Sequence, residues 1–235
     1  KMKNLILVAF LSVSFSSCDV LSKLPTGTGV GVTEAEAGEG IKEALAQGLV
    51  KAVLQLNKED GFFKDALYKV LLPPDAKKIE NTLRDLGMNK MVDKAILSIN
   101  RAAEDAAGFA KPIFVDAIKS MTIGDAIGLV RNGDTSATHF FRVKTTDKLI
   151  AAFLPVIKTS LDKVDATKFY GDIVNTYNNF PTTLKKINPD LPSFVTEKAT
   201  TALFDLVAKE EINIRQNIAA RTTDLLRKVF GGGIR

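Results

Sequence analysis

Arg101 and Glu104 stand one helical turn apart, as do Glu211 and Arg215, and these are the residues of this 235-residue chain best suited to chemistry. Asn100 sits beside the first pair, and Arg142 and Glu210 are further candidates for the same polar group. A carboxylate next to a guanidinium can grip a ligand, fix a helix, or move a proton when sheltered from water. Three arrangements fit the spacing. Exposed pairs of this kind contribute only roughly 0.2–0.5 kcal/mol each. A buried network would clamp segments together through Arg forks. A polar floor in a concave site would make Asn100, Arg101, Glu104, Arg142, Glu211 and Arg215 a ligand pocket.

Ser136, His139 and Asp134 form a second constellation, since a serine and a histidine three apart are neighbours on a helix and an acid lies close by. Against a triad, Asp134 and Thr135 read as helix-capping residues, and a lone histidine between apolar neighbours is usually packed or at the surface. His139 is the only histidine and Cys18 the only cysteine, so no His/Cys/Asp cluster with metal-ligand spacing exists in the sequence. No GxSxG elbow occurs. Gly27, Gly29 and Gly31 precede a helix, but a dinucleotide loop also needs a strand before it. No catalytic residue, metal ligand or cofactor is therefore expected.

Cys18 carries a different chemistry. It follows Lys1 and Lys3, an apolar run from Leu5 to Phe15, and Ser16 and Ser17, the pattern of a secretory signal ending at a lipid-attachment cysteine. The apolar run is too short to span a bilayer, which takes about 20 residues. Acyl chains contribute about 0.8 kcal/mol per buried CH₂, so acylated Cys18 would hold the protein to a membrane. Residues 1–17 are thus expected to be a signal peptide, and 18–32, rich in Gly, Thr and Pro, a flexible tether. Residues 33–235 are expected to form a single helical domain. Loss of Lys1 and Lys3 lowers the basic count from 32 to 30 against 27 acidic residues, and the formal charge from +5 to +3. That near balance argues against a nucleic-acid partner. With one cysteine, an intrachain disulfide is impossible.

The elements that must position these residues read as helices. Thr33 and Glu36 make a capping-box pair ahead of Ile41, Leu45, Leu49, Val53 and Leu56 on one face. The KVLLPP run suggests a short extended segment near residues 69–73. Pro74 opens a helix carrying Ile79, Leu83 and Leu86 that stops at Gly87. A longer helix from Asn89 places Val92, Ala95, Ile96, Ile99, Ala103 and Ala106 inward until Pro112 breaks it. Thr122 and Asp125 mark another start and Gly133 a stop. Asp134 or Thr135 is expected to cap one short helix, Thr145 or Thr146 the next, with a kink at Pro155, and Asp165 a third. A proline-punctuated loop from Phe180 to Pro192 is expected to be the least ordered part. The final pattern runs from Phe194 to Phe230 before Gly231. The sum is an all-α, irregular multi-helix bundle of about eight or nine helices.

Several stretches resemble a bacterial lipoprotein family, domain of unknown function 4197. They are GIKEAL, DGFF, the LPP before Asp75, LSINRAAEDA, KPIFVDAIKSM, GDTSATHFFR, EEINIR and LLRKVFG. The resemblance implies an exported, lipid-anchored helical domain and transfers no reaction, ligand or catalytic residue. The favoured reading is a non-catalytic binding or scaffold module in the bacterial cell envelope, at the outer membrane rather than the inner, meeting an envelope protein or an apolar ligand. The alternative is a hydrolase-like envelope enzyme using carboxylates such as Glu104 or Glu211 in a helical pocket.

Overall fold

The structure, a computed structural model, describes residues 33–231 except 132, 180 and 182. Cys18, the expected signal and tether, and Gly27, Gly29 and Gly31 lie outside the described residues. Among the described residues the elements are α1 (Glu34–Asn57), α2 (Lys77–Asp85), α3 (Asn89–Ala107), α4 (Ala110–Lys119), α5 (Ile123–Arg131), α6 (Ser136–Asp162), α7 (Ala166–Asn178), α8 (Leu191–Gln216) and α9 (Asp224–Phe230). Short 3₁₀ turns precede α2 and α9, and no strand occurs among the described residues. The architecture is an all-α multi-helix bundle. No helix among the described residues is long and apolar enough to cross a membrane.

Local chemistry sets several boundaries. The Thr33 hydroxyl accepts from Glu36 N–H at 3.2 Å while Glu36 accepts from Thr33 N–H at 2.9 Å, which satisfies two otherwise orphaned donors at the start of α1. Thr122 and Asp125 repeat this reciprocal pair ahead of α5. Pro74 opens the turn into α2, and Gly87, at φ +80°, ends that helix in the left-handed region that glycine tolerates.

The centre is built from α6 and α8, with α1, α3 and α4 around them. Leu149, Phe153, Ile157 and Leu161 of α6 and Leu203 and Phe204 of α8 are fully buried. Phe114 of α4 meets Phe141 and Phe204 edge-on, with centroids 6.3 and 6.0 Å apart, a geometry that aligns ring edges with ring faces. Helix α9 lies so close to α1 that a Cβ on Gly40 would stand 2.5 Å from a Val229 methyl.

Four details differ from the sequence-based expectations. Residues 136–162 form one continuous helix rather than two, because Thr145 and Thr146 bond back to the carbonyls of Phe141 and Arg142 instead of capping a new start. Thr135 and Asp165 occupy N-cap positions at φ +68° and +54°, and neither side chain makes a capping bond. Pro112 lies in the first turn of α4, where its missing N–H costs nothing, and α3 has already ended at Ala107. Leu86 points to solvent rather than inward.

Candidate functional site

The α3 residues close a network around the connection between α1 and α2. Glu104 Oε1 accepts from Phe62 N–H (3.0 Å) and Phe63 N–H (3.1 Å), and Oε2 accepts from Arg101 at 2.6 Å. Arg101 also donates to Asp60 at 2.8 Å and Glu59 at 3.3 Å. The loop turns tightly here: a Cβ on Gly61 would lie 2.5 Å from the Gln55 carbonyl. Asn100, completely buried, accepts from Val70 N–H at 2.8 Å and donates to Val70 C=O at 2.8 Å and Ile96 C=O at 2.7 Å. A residue offers its N–H and C=O on the same side only when its backbone is extended, so this amide holds Val70 as a neighbouring strand would.

Helix α8 carries the second network. Glu211 accepts from Ala137 N–H (3.2 Å), Thr138 N–H (2.8 Å) and Thr138 Oγ1 (2.7 Å). It thereby caps the N-terminus of α6 from another helix, where a negative charge also suits the helix dipole. Arg215 binds Glu211 at 2.8 Å and donates to Leu129 C=O (3.0 Å) and Ser136 Oγ (3.2 Å). Glu210 instead pairs with Lys51 of α1.

The candidate residues do not converge on one site. Arg101 joins Glu104 and Arg215 joins Glu211 in separate networks, whereas Arg142 is exposed and stacks over the Phe204 ring at 4.7 Å. The recess beside Glu211 and Arg215 has a volume of about 20 Å³, room for about one water. Asp134, Ser136 and His139 line one open depression of about 630 Å³. Ser136 Oγ donates to Leu129 C=O at 2.5 Å and accepts from Arg215, so its proton is not directed at His139. Asp134 accepts from Gln216. Among the described residues no group of three or more His, Cys, Asp and Glu side chains is arranged to hold a metal.

A different concavity is larger. A groove of about 860 Å³ runs between the segment Leu67–Pro74 and the outer face of α8, with Lys77 and Glu80 of α2 at one end. Leu67 and Leu71, 75% and 52% exposed, and Phe194 supply apolar surface. Four lysines, Lys69, Lys77, Lys198 and Lys209, face two carboxylates, Glu80 and Asp205. Both acids are already engaged: Glu80 by Arg84 at 3.0 Å and Lys77 at 3.1 Å, Asp205 by Lys209 at 2.8 Å and the Tyr68 hydroxyl at 2.5 Å. Among the described residues Lys69 and Lys198 have no carboxylate partner; they lie over the Phe63 and Phe194 rings at 4.3 and 5.5 Å. Burial and the hydrogen bond to Asp205 raise the Tyr68 pKa above its ordinary value. The hydrogen bond from Lys209, with that from Tyr68, keeps Asp205 below the usual carboxylate range. Tyr68 therefore stays a neutral phenol and Lys209 a cation, both held by the ionised Asp205.

Residues 31–231 match the model of a family described as protein of unknown function, DUF4197. The chain belongs to this family. No curated protein and no solved structure matches it. The DUF4197 match takes in both carboxylate networks and the whole groove.

Sequence reasoning did not single out the groove residues of this DUF4197 domain. The signal was present on α8, where Phe194, Lys198, Thr201, Asp205 and Lys209 follow one another at three- and four-residue steps. They make a stripe opposite the buried Val195, Ala199 and Leu203. Their partners Tyr68 and Leu71 come from more than 120 residues earlier, a juxtaposition that no local pattern encodes.

Proposed function

We propose that this DUF4197 protein is a non-catalytic binding module of the bacterial cell envelope, held at a membrane through acylated Cys18, with the groove beside α8 as its ligand surface. The observation that carries this reading is the contrast between the groove and the two carboxylate networks. Glu104 and Glu211 are the acids best placed for proton transfer, and each is buried and held by two backbone N–H groups and an arginine. A general base needs a free lone pair within reach of substrate. The groove, in contrast, is open, mixes apolar side chains with unneutralised lysines, and is large enough for a ligand of several residues.

The membrane attachment rests on the residues before and at Cys18, and the outer membrane is favoured over the inner. Site-specific photocrosslinking tests the groove in intact cells. A photoreactive residue at Leu71 is expected to form a discrete adduct, and one at Val143, more exposed and lining a different depression, none. Adducts from Val143 alone, or turnover of an envelope ester that survives Leu71→Asp and disappears in Glu104→Gln, would contradict the reading.

A further inference from the structure

The backbone of the groove wall says more about the ligand. Asn100 occupies the N–H and C=O of Val70, so in an extended chain the polar groups of Leu71 face the other way. Among the described residues Leu71 N–H makes no hydrogen bond. Leu71 also lines the groove and is half-exposed. At Val70 and Leu71 the wall is therefore satisfied on one side by a side-chain amide and offers one unpaired donor, Leu71 N–H, on the other, where Lys69 N–H is already bonded to Asp65 C=O at 3.0 Å.

Resting on the binding-module reading, we infer that the groove takes a peptide segment of another envelope protein that carries acidic and apolar side chains and lays a backbone carbonyl against Leu71 N–H. Three features specify this occupant. First, anything covering the groove must supply an acceptor to Leu71 N–H, because a buried unpaired donor costs about 1–3 kcal/mol. A peptide carbonyl supplies one and an acyl chain does not. Second, Lys69 and Lys198 stand at the groove without carboxylate partners, so an acidic side chain is the complementary charge. Third, Leu67, Leu71 and Phe194 give apolar contacts beside those lysines, which calls for acidic and apolar side chains on the same ligand. The apolar recess behind Leu72, toward Tyr170 and Val174, holds only about 30 Å³ and has no depth for a lipid tail.

The test uses the full detergent-extracted protein on an array of octapeptides in which Asp or Glu alternates with each apolar residue. Retention is expected on the acidic-apolar set and not on the same sequences with Lys replacing the acids. The double variant Lys69→Glu, Lys198→Glu, with unchanged helix content, is expected to bind the acidic set roughly ten-fold more weakly. Hydrogen exchange at Leu71 should slow on binding. No retention of any acidic-apolar octapeptide, or equal retention by the double variant, overturns the inference. Dodecanoate serves as the lipid probe. If it protects residues 67–72 while no peptide binds, the peptide assignment falls and the groove remains the ligand surface. If native envelope extract leaves residues 67–72 unprotected, the binding-module reading itself falls.

Discussion

Replacing Glu211 by Gln tests whether the buried carboxylates hold the fold together. Glu211 Oε2 takes both Thr138 donors and Oε1 takes Ala137 N–H and Arg215. A glutamine offers one carbonyl oxygen and turns an NH₂ toward the remaining donors. Both charge-assisted bonds from Arg215, through Nε and Nη2, lose their anionic acceptor, and one buried N–H is orphaned at about 1–3 kcal/mol. Arg215, whose side chain is only 12% exposed, is left as an uncompensated buried cation. The expected loss is about 3–5 kcal/mol, the range for breaking a buried pair. At roughly 2–4 °C per kcal/mol for a domain of this size, the melting temperature should fall by roughly 10 °C or more. The assay is thermal and urea denaturation followed by circular dichroism, with Lys148→Ala as the exposed control. Adding Arg215→Met should recover part of the loss, since the pair is coupled. A Glu211→Gln shift no larger than that of Lys148→Ala, or strict additivity with Arg215→Met, would refute the reasoning.

Asn100→Leu leaves Val70 N–H and C=O without partners and should cost roughly 2–5 kcal/mol; native-state exchange should show residues 67–72 loosening before the helices, and uniform loosening would count against the clamp. The Glu36 carboxylate is lowered to about 2 by hydrogen bonds from Lys228 and then Thr33. A depressed carboxylate stabilises fully above its unfolded value of 4.5 and loses that contribution as pH falls toward 2. Thermal melts at stepped pH should therefore show a decline between pH 4.5 and 2 that Lys228→Ala flattens, with no such difference arguing against the α1–α9 link. Cys18→Ala should move the protein from membranes to the soluble envelope fraction with helix content unchanged, and equal membrane retention would exclude acylation as the anchor.

Helix identity was legible wherever a local signal decided it. Thr33 with Glu36, Thr122 with Asp125, and Pro74 with Gly87 each mark boundaries the structure reproduces. Threonine misled where its hydroxyl had a second option: at Thr145 and Thr146 it bonds back along the helix, and the expected break vanishes. The start of α6 was legible at Asp134 and Thr135, but the group that caps it was not, since that is Glu211, more than 70 residues away. The KVLLPP run was read as extended, and Val70 is held so without a neighbouring strand, because the Asn100 amide replaces one. Asn178 does the same for Ile187, accepting its N–H and donating to its C=O at 2.8 Å, which pins part of a loop expected to be the least ordered. Arg101, Glu104, Glu211 and Arg215 were recognised as a polar group, but their division into two clamps depends on contacts across the fold.

Hydrogen–deuterium exchange of the detergent-extracted protein, with and without its native envelope extract, tests the central claim most directly. Protection confined to residues 67–74 and 194–209 is the predicted result. Protection that instead centres on Glu104 or on the start of α6, leaving the groove unchanged, would contradict it.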